Sequence, residues 1–229
     1  NIPVGKMSYE KTIVNKPWGY EYLAYENEHV ALWLLHIGHG QKTSTHCHPN
    51  KTTGLTVLSG EVEVSFLNDK NILSAGKKIM IRKGLFHSTR ATSKNGATIF
   101  EIETPVDKHD LVRLYDSYGR EGKPYEDETH EVPKLEKCLW LEEPLPSETK
   151  TYVYENCKLV LTSVNSVSFF QEQGIATNFM FLRGGLMTDY GVRVAGPGDI
   201  VSSDVMKRLV GAFGVIDKDT IVLTLQEND

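Results

Sequence analysis

The sequence predicts an all-β protein built from two similar halves. Three observations carry this expectation. Nineteen glycines are spread through 229 residues, and a 40% hydrophobic content supplies an ordinary buried core. Short apolar or alternating runs separated by turn residues dominate the first half, with few long apolar helical stretches. Landmarks of the first half then recur in the second.

In chain order, residues 30–37 form an apolar run of strand length. Residues 55–58 and 62–67 flank Ser59-Gly60, which reads as a hairpin turn. Residues 79–81 and 98–102 are further strands, punctuated by Gly40, Gly60, Gly76, Gly84 and Gly96. Residues 105–133 are rich in charge and tyrosine, and residues 121–146 in Glu, Lys and Pro, which predicts a long connection with one short helix. Beyond it, Phe181-Leu182-Arg183-Gly184 resembles Val57-Leu58-Ser59-Gly60. Gly198-Asp199-Ile200-Val201 resembles Gly76 with Ile79-Met80-Ile81, and residues 221–225 resemble 99–103. The intervals agree within a few residues, which predicts an internal duplication.

The net charge of −5 argues against a general nucleic-acid binder. From Gly40 to Gly96, nine basic residues face three acidic ones, so this segment carries about +6 and the remainder about −11. It is either a solvated surface or a positive rim that attracts a small anion. Cys47, Cys138 and Cys157 form no CxxC and no disulfide framework. Neither a secretory signal nor a membrane-spanning apolar run is visible, so a cytoplasmic protein without a membrane partner is expected.

His46-Cys47-His48 is the main chemical signal. On a strand, alternate side chains share a face, so both imidazoles project together and Cys47 points away. His87, in a loop after the 79–81 strand, supplies a third. These residues predict a site for one divalent metal (zinc, iron, nickel or manganese) held by three imidazoles. No histidine follows His130. The counterparts of His46 and His48 fall near residues 170–172, and that of His87 near Leu209. The second copy is therefore expected to lack this metal site and to serve packing, dimerisation or covering.

The spacing Gly40, His46, His48, Thr53, Gly60, followed by Gly76, Arg82, Gly84, His87, Ala91, resembles the paired motifs of the cupins. Thr53 stands where the family has a glutamate, Arg82 where it has a proline and Ala91 where it has an asparagine. The resemblance implies a small antiparallel β-barrel, or jelly roll. With the duplication it implies a bicupin: residues 1–128 as a metal-binding barrel with its closing segment, 129–149 as a linker, and 150–229 as a degenerate cupin-like barrel. A homodimer is the family-based expectation. Lys16-Pro17-Trp18-Gly19-Tyr20-Glu21 and the segment from Asp110-Leu111-Val112-Arg113 to Gly119-Arg120 also resemble the type II phosphomannose isomerase-like cupins, the isomerase part of mannose-1-phosphate guanylyltransferases. The matching motifs span residues 16–120, and the nucleotidyltransferase half has no counterpart.

Without the glutamate, three neutral imidazoles leave a bound cation at +2, which weakens binding but strengthens the Lewis acid. Thr53 is a poor ligand that can instead hydrogen-bond a water or the substrate. Aldose–ketose chemistry needs a base. Glu101 and Glu103 share one face of a strand, either inward as acid/base groups or outward on an exposed edge. Arg113 and Arg120 either clamp an anion or pair with Asp110 or Asp116. Lys51 and Arg82 are either rim contacts or solvated cations, and Trp18 reads as packing. The leading expectation is a metal-dependent isomerase or epimerase of a sugar phosphate or nucleotide-linked sugar. The alternatives are a three-histidine iron dioxygenase and a non-catalytic sugar-binding or regulatory cupin.

Overall fold

The computed structural model describes residues 8–119, 132–174 and 177–227. The first half contains β1 (Ile13–Lys16), β2 (Gly19–Glu26), β3 (Ala31–Ile37), β4 (Thr45–Cys47), β5 (Thr52–Ser59) and β6 (Glu61–Phe66). It continues with β7 (Lys70–Ser74), β8 (Lys78–Ile81), β9 (His87–Ala91), β10 (Ala97–Thr104) and β11 (Val112–Tyr115). They form two antiparallel sheets, ordered β1-β2-β3-β10-β5-β8 and β11-β4-β9-β6-β7. Trp33, Leu35, Leu55, Val57 and Ile99 from the first sheet pack with Val62 and Val64 from the second. This is the jelly-roll arrangement, with the histidine strands β4 and β9 adjacent in the smaller sheet.

Strand β10 lies between β3 and β5, and both of its faces are covered. Ile99 faces the barrel interior, while Phe100 and Ile102 join a second core with Leu32, Leu34, Leu159, Leu161, Met180 and Leu223. The near-continuous apolar run of β3 has the same cause, because all its residues but His36 are buried.

The second half contains β12 (Thr149–Tyr154), β13 (Cys157–Val164), β14 (Thr177–Arg183), β15 (Leu186–Met187), β16 (Arg193–Ala195), β17 (Ile200–Ser202), β18 (Val215–Ile216) and β19 (Thr220–Glu227). Its sheets run β12-β13-β19-β14-β17 and β16-β15-β18. Substituting each strand by its first-half counterpart gives β2-β3-β10-β5-β8 and β7-β6-β9, the same order. The agreement reaches individual bonds. Val57 N–H donates to Lys77 O (3.0 Å) and Gly76 N–H to Val57 O (2.9 Å). Phe181 N–H donates to Asp199 O (3.0 Å) and Gly198 N–H to Phe181 O (2.9 Å). Gly60 and Gly184 both adopt positive φ, 77° and 65°, and a Cβ would lie 2.5 Å from Gly96 O in one and 2.4 Å from Thr220 Oγ1 in the other. The register corrects one sequence match: Val57 faces Ile99 and Phe181 faces Val222, so the counterpart of Ile99 is Val222 rather than Ile221.

The halves differ where the metal ligands would be. Helix α1 (Ser168–Gln171) replaces β4, and helix α2 (Ser203–Ala212) precedes β18. Phe170, Phe179, Phe181, Met206 and Val210 fill the second barrel, with the Phe170 and Phe179 rings edge-on at 5.0 Å. Leu209 packs against this plug.

The halves are not separate bodies. The connection, in which the described residues hold a 3-10 turn at Leu135–Lys137, crosses the outer face of the first large sheet. Leu139 N–H donates to Tyr22 Oη (2.9 Å), Leu141 N–H to Ala24 O (2.9 Å), and both leucines enter the shared core. The 128/129 boundary, and Arg120 with it, lies outside the described residues. Among the described residues no helix is long and apolar enough to cross a membrane.

Candidate metal centre

His46 in β4 lies opposite His87, the first residue of β9, so His87 opens a strand rather than sitting in a loop. His48 follows β4 directly, and its carbonyl accepts Gly84 N–H (2.9 Å), which draws the loop before β9 against it. The three ring centroids are 4.6, 4.9 and 5.5 Å apart, and one nitrogen from each lies within 4.8 Å of the others. A tetrahedral metal with Zn–N distances of about 2.0–2.1 Å needs nitrogens about 3.4 Å apart, so the rings would have to draw closer to hold one. It is the one such cluster among the described residues.

The hydrogen bonds fix which nitrogens face inward. Nδ1 of His46 contacts Ser44 O (2.8 Å), Nδ1 of His48 contacts Asp110 O (2.7 Å), and Nδ1 of His87 contacts Leu85 O (2.9 Å). A carbonyl can only accept, so each Nδ1 carries the proton and each Nε2 presents a lone pair. Nε2 of His48 is buried with no protein hydrogen-bond partner. Burial, reinforced by the other two rings, pushes the His46 imidazole far below the usual histidine value. Burial and then the Lys51 ammonium bring His48 down to about 3, and burial also lowers His87. All three rings are therefore neutral at neutral pH and ready to ligate. The donor set fits a divalent metal, preferring zinc or a first-row transition ion over magnesium or calcium.

The rings open into a cavity of about 80 Å³ that opens to solvent. Its walls come from three parts of the chain. The barrel contributes Leu35, Thr43, Ser44, Lys51, Thr89 and Glu101. The β1–β2 segment contributes Lys16, Trp18 and Glu21, and residues 105–113 contribute Lys108, Leu111 and Arg113.

Glu101 lines the cavity close enough to His87 for its charge to be felt there. Glu103, on the same strand face, is 1% exposed. It pairs with the buried Lys51 ammonium and accepts Trp33 Nε1–H (3.4 Å). Burial pushes its carboxyl upward, and Lys51 opposes the rise. Lys51 Nζ also donates to Asp107 O (2.9 Å). Neither glutamate lies on an exposed edge, because the sheet is covered on both sides.

Thr53 is buried directly opposite Glu103, does not line the cavity, and leaves Oγ1 without a protein partner. Arg82 is exposed and outside the lining. Arg113 lines the cavity. The positive segment from Gly40 to Gly96 contributes only Lys51, and the other cavity cations, Lys16, Lys108 and Arg113, come from outside it.

Sequence reasoning missed Lys16, Glu21 and Lys108; Trp18 packs in the barrel core as read and also borders the cavity. The first three form one cluster: Glu21 accepts from Lys108 Nζ (2.8 Å) and has Lys16 Nζ at 3.7 Å, while Lys108 Nζ lies 3.5 Å from the Trp33 ring centroid. Burial alone would lower the Lys108 ammonium, but the Glu21 and Glu103 carboxylates outweigh it and raise it. The available signal was the Lys-Pro-Trp-Gly-Tyr-Glu motif, whose Lys16, Trp18 and Glu21 all reach the cavity.

The cupin domain model matches residues 33–103, about a third of the chain, so this part is similar to a cupin domain. Comparison with curated proteins gives no match. Among solved structures the chain is similar to KdgF from a Halomonas species, with 16% identity over 40% of this chain and 84% of that one and a TM-score of 0.38. It is also similar to an uncharacterised protein with a double-stranded β-helix domain from Klebsiella pneumoniae, with 18% identity over 49% and 98% and a TM-score of 0.41. An RmlC-like cupin from Shewanella frigidimarina gives 15% identity over 45% and 91% and a TM-score of 0.39. In the first barrel the three histidines line one charged cavity, and the second half repeats the strand order without them.

Proposed function

We propose that the protein is a metal-dependent cupin enzyme acting on a small anionic sugar, a sugar phosphate or nucleotide-linked sugar, as an isomerase or epimerase. The observation that carries this reading is one cavity shared by three metal-ready imidazoles, the Glu101 carboxylate and four cationic side chains. When bound at His46, His48 and His87, a divalent metal supplies Lewis-acid polarisation of a substrate oxygen. Glu101 takes the proton from the carbon beside the carbonyl and returns it to the carbonyl carbon while the hydroxyl proton passes to the carbonyl oxygen; an epimerisation needs a second proton donor, which one of the lining ammonium groups would supply. Glu103 orients Lys51. With Glu103 and Asp107 O taking two of its three N–H donors, the third serves the ligand. Lys108 and Arg113 favour the anionic group, and the Trp18 ring offers an apolar wall to the sugar. The type II phosphomannose isomerase-like motifs support the same substrate class. A homodimer in solution is part of the proposal and is tested by sedimentation.

The test is turnover of a panel of sugar phosphates and nucleotide sugars by metal-loaded protein, with Glu101→Gln and His48→Ala as controls. Conversion by the wild type, with loss of at least about 100-fold in Glu101→Gln, is expected for removal of a general base. No turnover across the panel, or oxygen consumption dependent on ferrous iron, replaces the isomerase reading. Ligand binding without turnover, unaffected by His46→Ala, favours a non-catalytic sugar-binding cupin.

A further inference from the structure

We infer that Asp110 is a positioning residue for the metal centre, acting by docking residues 107–113 against the turn that follows His48. The inference rests on the three histidines being metal ligands. Asp110 lies 62 residues from His48, and its backbone oxygen accepts His48 Nδ1–H at 2.7 Å. Its side chain fixes where that oxygen sits. Oδ2 accepts the backbone N–H groups of Asn50 and Lys51, both at 2.9 Å, and Oδ1 accepts Asn50 Nδ2–H at 2.8 Å. Asp107 O, three residues earlier, accepts Lys51 Nζ–H at 2.9 Å.

The Asp110 residue is 6% exposed, so these bonds form out of bulk water, where losing them leaves buried donors unpaired. Burial works against its charge, but the Asn50 and Lys51 donors outweigh it and hold the carboxyl below the usual range. The side chain thus anchors the backbone oxygen that fixes the tautomer and aim of His48. The docked segment also carries Lys108, Leu111 and Arg113 to the cavity wall, so ligand wall and metal centre are assembled by the same contact.

The experiment measures Co2+ affinity by visible absorption and Zn2+ affinity by chelator competition on the full chain, for wild type, Asp110→Ala and Asp110→Asn. Metal-free melting temperatures are recorded alongside. Asp110→Ala is expected to weaken both metals by about 10- to 100-fold, the range for losing a group that orients a ligating histidine. Asp110→Asn is expected to stay within about threefold, because its amide oxygen can take both backbone donors while its NH2 meets a rotated Asn50 amide. A role confined to stability would lower the melting temperature and leave both affinities unchanged. Wild-type affinity in Asp110→Ala overturns the inference and leaves the metal site standing. A wild type that binds neither metal overturns the metal reading, and the inference with it. If Asp110→Ala does not fold, Asn50→Ala replaces it: weakening beyond about threefold supports the inference, and unchanged affinity overturns it.

Discussion

Replacing Lys51 by Met tests the buried charge pair beside the metal centre. The Lys51 and Glu103 side chains are 3% and 2% exposed, and removing the ammonium leaves a carboxylate inside the barrel with the long Trp33 Nε1 bond. Breaking a buried pair from one side costs about 3–5 kcal/mol. For a chain of this length that lowers the melting temperature by about 6–20 °C, at ~2–4 °C per kcal/mol. The loss depends on pH in a defined direction. In the variant, burial raises the Glu103 carboxyl further above its unfolded value, so the folded state binds the extra proton. Stability is then retained below the unfolded carboxyl range and lost as pH rises through the raised folded value. Urea denaturation of metal-free Lys51→Met at pH 5 and pH 8 is expected to show the larger deficit at pH 8. The double variant Lys51→Met/Glu103→Leu is expected to recover most of the loss, since neither charge of the pair remains. A deficit below about 1 kcal/mol, or an equal deficit at both pH values, would refute the reasoning.

Acidification of the metal-free wild type gives a second prediction. The folded imidazoles of His46, His48 and His87 are all lowered, His48 to about 3, so between there and the unfolded value the unfolded chain binds more protons. Stability is full above pH ~6.5 and falls on acidification by up to about 1.4 kcal/mol per pH unit for each ring, measurable by denaturant titration. A flat profile from pH 7 to 4.5 would contradict the buried neutral rings. Thr53→Val is expected to be neutral or to stabilise by up to about 1 kcal/mol, because the buried Oγ1 has no protein partner; a loss above that value in thermal melts points to a partner the fold does not show. A fragment of residues 8–119 is expected to aggregate, because it exposes Leu32, Leu34, Phe100 and Ile102; a monomeric fragment with a cooperative melt would separate the two halves.

The sequence by itself determined the features that depend on local order. Strand alternation put His46 and His48 on one side, and glycine punctuation located the turns. The spacing of Gly60 and Gly184 exposed the repeat, because both turns need a positive φ and leave no room for a Cβ. What the tertiary structure decided is everything that depends on which distant segments meet. Glu101 and Glu103 could not be assigned a face from alternation, because β10 is buried on both sides and apolar residues occupy each face. The cavity cations could not be read from charge density, because Lys16, Lys108 and Arg113 reach the histidines through strand pairing and a returning segment. The clasp from Asp110 to His48 and Asn50 is of the same kind: contacts across about sixty residues carry no periodic signature, and only folding brings them within hydrogen-bonding distance.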